Sequence, residues 1–288
     1  MVPVSVLYGI AGPIELGPIT STFSWETVLT AYVLYLYGHI SITTGIHRFF
    51  THGAFQAKRW LQWFWLVGFS AVFQAPALWW VGKHTRHHAD ADTPGDPHYI
   101  DRGFFWAHMG WLFFKQSIHP EDNKYVKHLA KVKEDPRRLR RVSWQRDHYW
   151  KLAVVVGLVL PTAVCWVGWG DPIGGLLIGG FSRLVYQYHT TWLANSQAHC
   201  LGRRRNGGGS ATAHRWIGLF FNVGESTDHA YHHAVQHDWR IEPKASWFNP
   251  GTWFLCVCSK LGWVWNLREG TSGQIKRARF VTDATQTA

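Results

Sequence analysis

Charge is scarce in this chain of 288 residues: Asp, Glu, Lys and Arg together make up 16%, where a soluble globular protein carries about 25%. The shortage is concentrated. Thr27–Ile46, Trp60–Val81 and Leu152–Gly170 hold no formal charge, Ile173–Gly202 holds only Arg183, and Val2–Ser24 holds only Glu15. Apolar runs of about 20 residues are long enough to cross a bilayer, so a soluble protein is excluded and an integral membrane protein is expected. The mean hydropathy of -0.14 is no objection, because the polar segments between the runs dilute it. Cysteine is sparse too. Cys165, Cys200, Cys256 and Cys258 form no C-x-x-C pair, which argues against a thiolate metal site, and Cys165, inside an apolar run, reads as packing. No basic region precedes the first apolar run and no A-x-A site follows it, so no cleavable signal is expected. The glycines of "RRRNGGGS" (Arg203–Ser210) lack the Lys and the strand–loop–helix setting of a phosphate loop.

Basic residues, by contrast, are plentiful. The net charge of +11 and pI of 9.7 raise the question of nucleic acid, but the distribution answers it. Of 29 Lys and Arg, none lies in the candidate turns Phe23–Glu26 and Gly170–Pro172, and only Arg183 lies in a span. The rest flank the histidine-rich segments, which is the positive-inside signature of a cytoplasmic face and favours anionic headgroups over nucleic acid. The expected fold is all-α and membrane-integral, a single domain over residues 1–288. Four spans at about 2–24, 27–46, 152–170 and 173–194 form two hairpins with both termini cytoplasmic. Segment 60–81 should be interfacial or re-entrant, because a straight crossing would put the histidines before and after it about 30 Å apart. Its five tryptophans suit the interface, and Gly68 and Pro76 permit bends. Segments 47–151 and 195–288 then form a cytoplasmic helical cap.

Histidine is the most informative residue type. There are 18, and H-x-x-H-H occurs twice, at His84, His87, His88 and at His229, His232, His233. On a helix, positions i, i+3 and i+4 share a face, so each motif is expected to aim three imidazoles at one point. His47, His52 and His199 raise the set to nine. One ion takes about four such ligands, so nine suit two ions, and imidazole suits iron, copper, nickel or zinc. The sequence has neither the Glu-x-x-His pairs of soluble carboxylate di-iron bundles nor an H-E-x-x-H motif. His47 and His52, five apart, should diverge on an α-helix, be placed where it frays, and split between the two ions. Asn195 and His199 should be i and i+4 on one face of a long helix that projects beyond the bilayer. Asp96 and Asp228 are candidates to orient ligand imidazoles as outer hydrogen-bond acceptors. His98, His119, His128 and His237 read as surface or supporting residues. His108, His148, His189 and His214 carry no signal that assigns them.

Four segments together resemble the membrane fatty-acid desaturases, in particular the stearoyl-CoA (Δ9) branch: "GIHRFFTH" (Gly45–His52), "HTRHH" followed by "DPHYIDRGFFWAHMGW" (Asp96–Trp111), "FSRLVYQYHTTWLANSQAH" (Phe181–His199) and "GESTDHAYHH" (Gly224–His233). The resemblance runs from about residue 25 to 268. It implies two iron ions held by His47, His52, His84, His87, His88, His199, His229, His232 and His233, with Asn195 reaching one through water. The implied reaction uses O₂ to remove two hydrogens from adjacent methylenes of a fatty acyl chain, leaving a cis double bond. The acyl chain would be presented as a CoA thioester or, second, as a lipid. A substrate tunnel would pass Ala31, Tyr35, His39 and Trp80, with Arg183 facing inward. The sequence has no cytochrome b5 heme motif and no nicotinamide fold. Electrons would therefore come from a separate ferredoxin, or from cytochrome b5 with its reductase. A related hydroxylase or acetylenase would use the same centre. A membrane metal-binding or transport protein would need ligands at mid-membrane depth, whereas these lie outside the apolar runs. The chain departs from the family pattern twice. No aromatic directly precedes His229, and "QAPALWWVG" (Gln74–Gly82) is apolar where acyl-CoA members are polar.

Overall fold

The computed structural model describes residues 15–16, 19–20, 24–114, 122–130, 135, 137–221, 223–225, 227–242 and 248–281. The chain is helical, with short two-residue strand pairs. Its first long element starts at Trp25, where the Ser24 hydroxyl caps the helix by accepting the Thr27 N–H at 3.4 Å. Trp25–Ile40 is α-helical and runs straight into a π-helix, Ser41–Thr51. The sequence supplies the cause. Ser41, Thr43 and Thr44 donate their hydroxyls to carbonyls four residues back, and Thr51 donates to Ile46 five back. Those hydroxyls compete with the amides for the same carbonyls and ease the ladder into the wider register. On this element Gly45 lies against the Trp65 ring, where any side chain would collide, so the Arg59–Ser70 helix packs at close range.

The apolar run 60–81 is not one helix. Arg59–Ser70 ends, the chain turns with Phe73 and Ala75 at φ 54° and 69°, and Ala77–Asp90 begins after Pro76. The turn is held from outside it: the Ala75 N–H donates to the Tyr149 hydroxyl and the Ala77 N–H to the Gln145 side chain, both at 3.0 Å. Both helices contribute to the main core, where Leu61, Trp65, Phe69, Val72, Ala77 and Val81 pack with Ile46, Phe49, Phe50 and Leu255.

Tyr149–Trp169 is the one helix among the described residues long and apolar enough, by length and composition, to cross a membrane. It turns at Gly170 and Asp171 into a helical stretch from Pro172 to Asn195, π-helical over Gly175–Ser182. Asp171 joins the turn to the first helix: it accepts the Thr27 hydroxyl at 2.7 Å and the Gly174 N–H at 2.8 Å, while Trp169 Nε1 donates to Thr27 at 2.8 Å. These three helices leave Leu29, Val33, Val155, Val167, Val185 and others outward and exposed.

The expected span at 2–24 fares differently. Glu15–Leu16 and Ile19–Thr20 pair as antiparallel strands, which a helix through 2–24 does not allow; the rest of that span, residues 1–14, 17–18 and 21–23, lies outside the described residues. Arg183 faces inward, as expected, but not onto a tunnel. It is buried and lines none of the cavities described below. Its guanidinium donates to the carbonyls of Gly179 (2.7 Å), Ala71 and Gly157 (both 3.1 Å), tying helices together. A cation in an apolar bundle is tolerated when backbone oxygens surround it in this way.

Arg48, 1% exposed, connects the first histidine segment to the last. It donates to Glu225 at 2.5 Å, to the Trp239 carbonyl at 3.0 Å and to Thr252 at 3.1 Å. Removing one partner of a buried ion pair strands the other charge and costs about 3–5 kcal/mol. Arg48→Ala is therefore expected to lower the thermal unfolding midpoint in detergent sharply, whereas an exposed control such as Arg146→Ala leaves it in place.

Candidate metal centre

The structure gathers nine imidazoles into two adjacent groups: His47, His52, His84, His88 and His232 in one, and His87, His199, His229 and His233 in the other, with the candidate ligand atoms of each group within 4.8 Å of one another. The Nε2 atoms face each other. In the first group, His47 to His232 is 2.9 Å, His232 to His88 3.1 Å and His88 to His84 3.1 Å. In the second, His87 to His233, His233 to His229 and His229 to His199 are each 3.2 Å. Nitrogens about 2.0–2.1 Å from a shared ion would stand about 2.9–3.4 Å apart, so the spacing matches that of neighbouring ligands on one cation.

Three sequence expectations change here. Each H-x-x-H-H motif straddles the two groups instead of aiming at one point: His84 and His88 face the first and His87 the second, while His232 faces the first and His229 and His233 the second. Positions i and i+4 stack, and i+3 lies to one side, which is enough to reach a second centre a few ångströms away. His47 and His52 share the first group, their ring centroids 4.8 Å apart. The π-helix explains this. Its i→i+5 bonding, with the His52 N–H on the His47 carbonyl at 3.1 Å, brings residues five apart into line. Asn195 and His199 do not share an α-helical face either. The helix ends at Asn195, and His199 follows in a 3₁₀ turn, Gln197–His199.

The surrounding shell is partly as expected and partly not. His87 Nδ1 lies 2.9 and 3.0 Å from the two Asp96 oxygens, and Asp96 also accepts the His98 N–H at 2.9 Å. Asp228 orients no imidazole. It forms a two-pronged pair with Arg205 (2.6–3.0 Å) and caps the His229–Ala234 helix by accepting the Tyr231 N–H. Arg205, the stronger partner, sits within reach and claims both oxygens. His199 Nδ1 meets Ser210 Oγ at 2.9 Å, a contact across eleven residues that sequence spacing does not announce. Of the remaining histidines, His128 bonds the Phe50 carbonyl and His148 the Trp144 carbonyl, both at 2.9 Å, and His214 Nδ1 accepts the Ile217 N–H at 3.3 Å; His119 lies outside the described residues.

Burial, followed by the proximity of other imidazoles, pushes His84, His88, His199, His232 and His233 well below the usual histidine range, and His47 likewise, with Arg48 adding to it. Burial first brings His52 and His229 down to about 3. These eight rings are therefore neutral donors that can turn a lone pair inward. Nitrogens converging in this way suit a shared cation.

Three cavities reach the rings. A narrow one of 70 Å³ is lined by His47, His84, His87, His229 and His232 together with His39, Ile42, Thr43, Asn195 and Glu225. A wider one of 420 Å³ has an aromatic wall including Phe73, Trp79, Trp111 and Phe113. Trp80, His84, Thr191 and Asn195 line both. Trp80 stacks on His84 with centroids 4.8 Å apart. Of the expected tunnel residues, His39 and Trp80 line these cavities. Tyr35 lines a separate one beside Tyr186 and Phe248, and Ala31, though buried, lines none of the described cavities. A polar cavity of 410 Å³ reaches His52 and His88 between Thr51, Thr85, Gln236, His237 and Arg268.

Two outcomes are expected. Outer partners of a ligating imidazole typically contribute about 10–100-fold in metal affinity, so Asp96→Asn should weaken metal binding by that factor in a titration; unchanged affinity would mean that the carboxylate does not orient His87. Between pH 6.5 and 3 the unfolded chain takes up protons that buried His52 and His229 refuse. The unfolded state then binds more protons, so stability falls as the pH drops. The metal-free protein should show a lower denaturation midpoint at pH 5.5 than at pH 7.5, with most of the loss below pH 6.5.

The sequence model of the fatty acid desaturase family matches residues 23–265. Among curated proteins, the chain is 29% identical over 272 residues to a probable acyl-CoA desaturase of Schizosaccharomyces pombe, an alignment covering 94% of this chain and 55% of that one. It is 34% identical to an sn-1 stearoyl-lipid 9-desaturase of Anabaena variabilis, covering 77% and 76%. It is 32% identical to an acyl-CoA Delta(11) desaturase of Trichoplusia ni, covering 91% and 74%. The chain thus spans about half the length of the fission-yeast relative and three quarters of the other two.

Proposed function

The chain belongs to the fatty acid desaturase family, and on that premise we propose that it is an oxidoreductase that introduces a cis double bond into a fatty acyl chain, of Δ9 type, at a two-iron centre. The observation that carries this reading is the pair of facing imidazole groups beside an aromatic cavity. An alkyl methylene has no acidic proton and no leaving group, so acid–base chemistry alone does not attack it. His47, His52, His84, His88 and His232 would hold one iron and His87, His199, His229 and His233 the other, with Asn195 beside them on the cavity wall, and the pair would supply the O₂-dependent oxidising chemistry that the reaction needs.

The protein's part is placement. The aromatic wall of the 420 Å³ cavity takes up acyl methylenes and keeps water out, and the residues shared with the narrower cavity, Trp80, His84, Thr191 and Asn195, bring one stretch of the chain to the ring edges. Asp96 holds the His87 ring so that Nε2 faces its group. Histidine ligands would bring no negative charge of their own to the ions. The polar cavity at His52 and His88 supports electron entry away from the acyl path. The donor would be an external ferredoxin, or cytochrome b5 with its reductase. We place the chain in the membrane as a multi-pass protein with its centre on the cytoplasmic side. The outward apolar faces of the Trp25–Ile40, Tyr149–Trp169 and Pro172–Asn195 segments support this.

A CoA thioester is the leading carrier. A lipid-borne acyl chain is a second reading with its own support. Lys83 is the one Lys or Arg among the residues lining the aromatic cavity, a thin match for the several negative charges of CoA, and the relative from Anabaena variabilis is named for a lipid substrate. Expression in a host that lacks its own desaturase, followed by mapping of double bonds in each lipid class and in the acyl-CoA pool, tests both carriers. New monounsaturated chains are expected. Hydroxylated or acetylenic products, or none, would overturn the reading. His87→Ala should reduce product below detection.

A further inference from the structure

The turn from Asn195 to His199 has an unusual duty. Asn195 must face the cavities while His199 meets the second imidazole group, and a continuous α-helix would stack them on one face. The helix breaks instead at Ser196, with φ −112° and ψ −71°, and a 3₁₀ turn follows. Every residue from Ser196 to His199 is buried, so the break is held by packing and hydrogen bonds.

One hydrogen-bond chain reaches it from elsewhere in the sequence. The Ser196 hydroxyl donates to the Trp192 carbonyl at 2.9 Å, which uses its only proton. Its oxygen then accepts from His108 Nδ1 at 3.0 Å, so His108 carries its proton there. Its other nitrogen, Nε2, accepts from His189 Nδ1 at 3.0 Å. Burial and the neighbouring His189 hold His108 below its usual range, which keeps Nε2 free to accept. Phe104, stacked at 5.5 Å, and Trp192, edge-on at 5.7 Å, fix the plane of the ring. The chain ends on a backbone carbonyl and not in a cavity, so it conveys position, not protons.

We infer that His108 is a positioning residue: from the Phe104–His108 helix it clamps the break at Ser196, so that His199 turns to the second imidazole group while Asn195 stays on the cavity wall. The metal arm of the test rests on the reading that the second group holds an ion; the exchange arm does not.

Three variants separate the bond from the bulk. His108→Phe keeps a ring but removes the donor, His108→Asn offers an amide N–H near the Nδ1 position, and Ser196→Ala removes the acceptor. Hydrogen–deuterium exchange is followed in the metal-free protein over the amides of Ser196, His199, Cys200 and Leu201, which bond within this turn. Losing one hydrogen bond should speed that exchange by about tenfold in the Phe and Ala variants, with the Asn variant close to wild type and the two losses not adding in the double variant. In iron-loaded protein, the Phe variant should hold one tightly bound ion per chain where wild type holds two. The inference is overturned if His108→Phe exchanges like wild type, if Asn is as fast as Phe, or if exchange rises equally across the whole chain. Wild type binding fewer than two ions would reject the reading of the centre, and the exchange data would still decide the clamp.

Discussion

Nine imidazoles converging in two adjacent groups set the terms for the rest of the structure. Rings 2.9–3.2 Å apart at nitrogen can share protons pairwise, but two closed groups of five and four cannot all be satisfied in that way. Burial keeps most of them from escaping by protonation. The converging nitrogens make two foci suited to cations. The scaffold must hold nine rings from distant parts of the chain together, and much of the remaining structure serves that end.

The supports come from different parts of the chain and act by different means. Hydroxyl back-bonding in the Ser41–Thr51 segment widens the helix and aligns His47 with His52. Arg48, one residue further on, anchors that helix to Glu225, Trp239 and Thr252. Arg205 and the capping bond of Asp228 fix the start of the short helix that carries His229, His232 and His233. Asp96, His98 and Trp111 stand behind His87. None of these groups faces the foci, yet each determines where a ring points.

The cavities complete the division of labour. The aromatic space reaches His84 and Asn195 from one set of residues, and the polar space reaches His52 and His88 from another. On the proposed function, the aromatic space suits an alkyl chain and the polar space suits the approach of an electron donor. Arg183, though charged, belongs to neither approach and holds helices together through carbonyl oxygens.

By itself the sequence determined the composition of the site. All nine rings that meet are those the spacing and the quoted segments singled out, and Asp96 was legible as a partner because it follows the second motif closely. Residue type and local period carry that information, since a cluster of imidazoles at short spacing is a metal-ligand signature whatever the fold. Helix existence was legible for the same reason, as in the apolar run that became Tyr149–Trp169. The division of the rings was not legible. Whether His87 joins His84 or His199 depends on where other elements come to lie, and pairing His47 with His52 required a helical register that residue spacing assumes to be α. Asp228 went to Arg205 because a partner 23 residues away was nearer than any imidazole, and the chain from His189 through His108 to Ser196 joins residues 81 and 88 positions apart. Only the tertiary structure decides such matters, because distances across the chain are set by packing and leave no periodic trace in the order of residues.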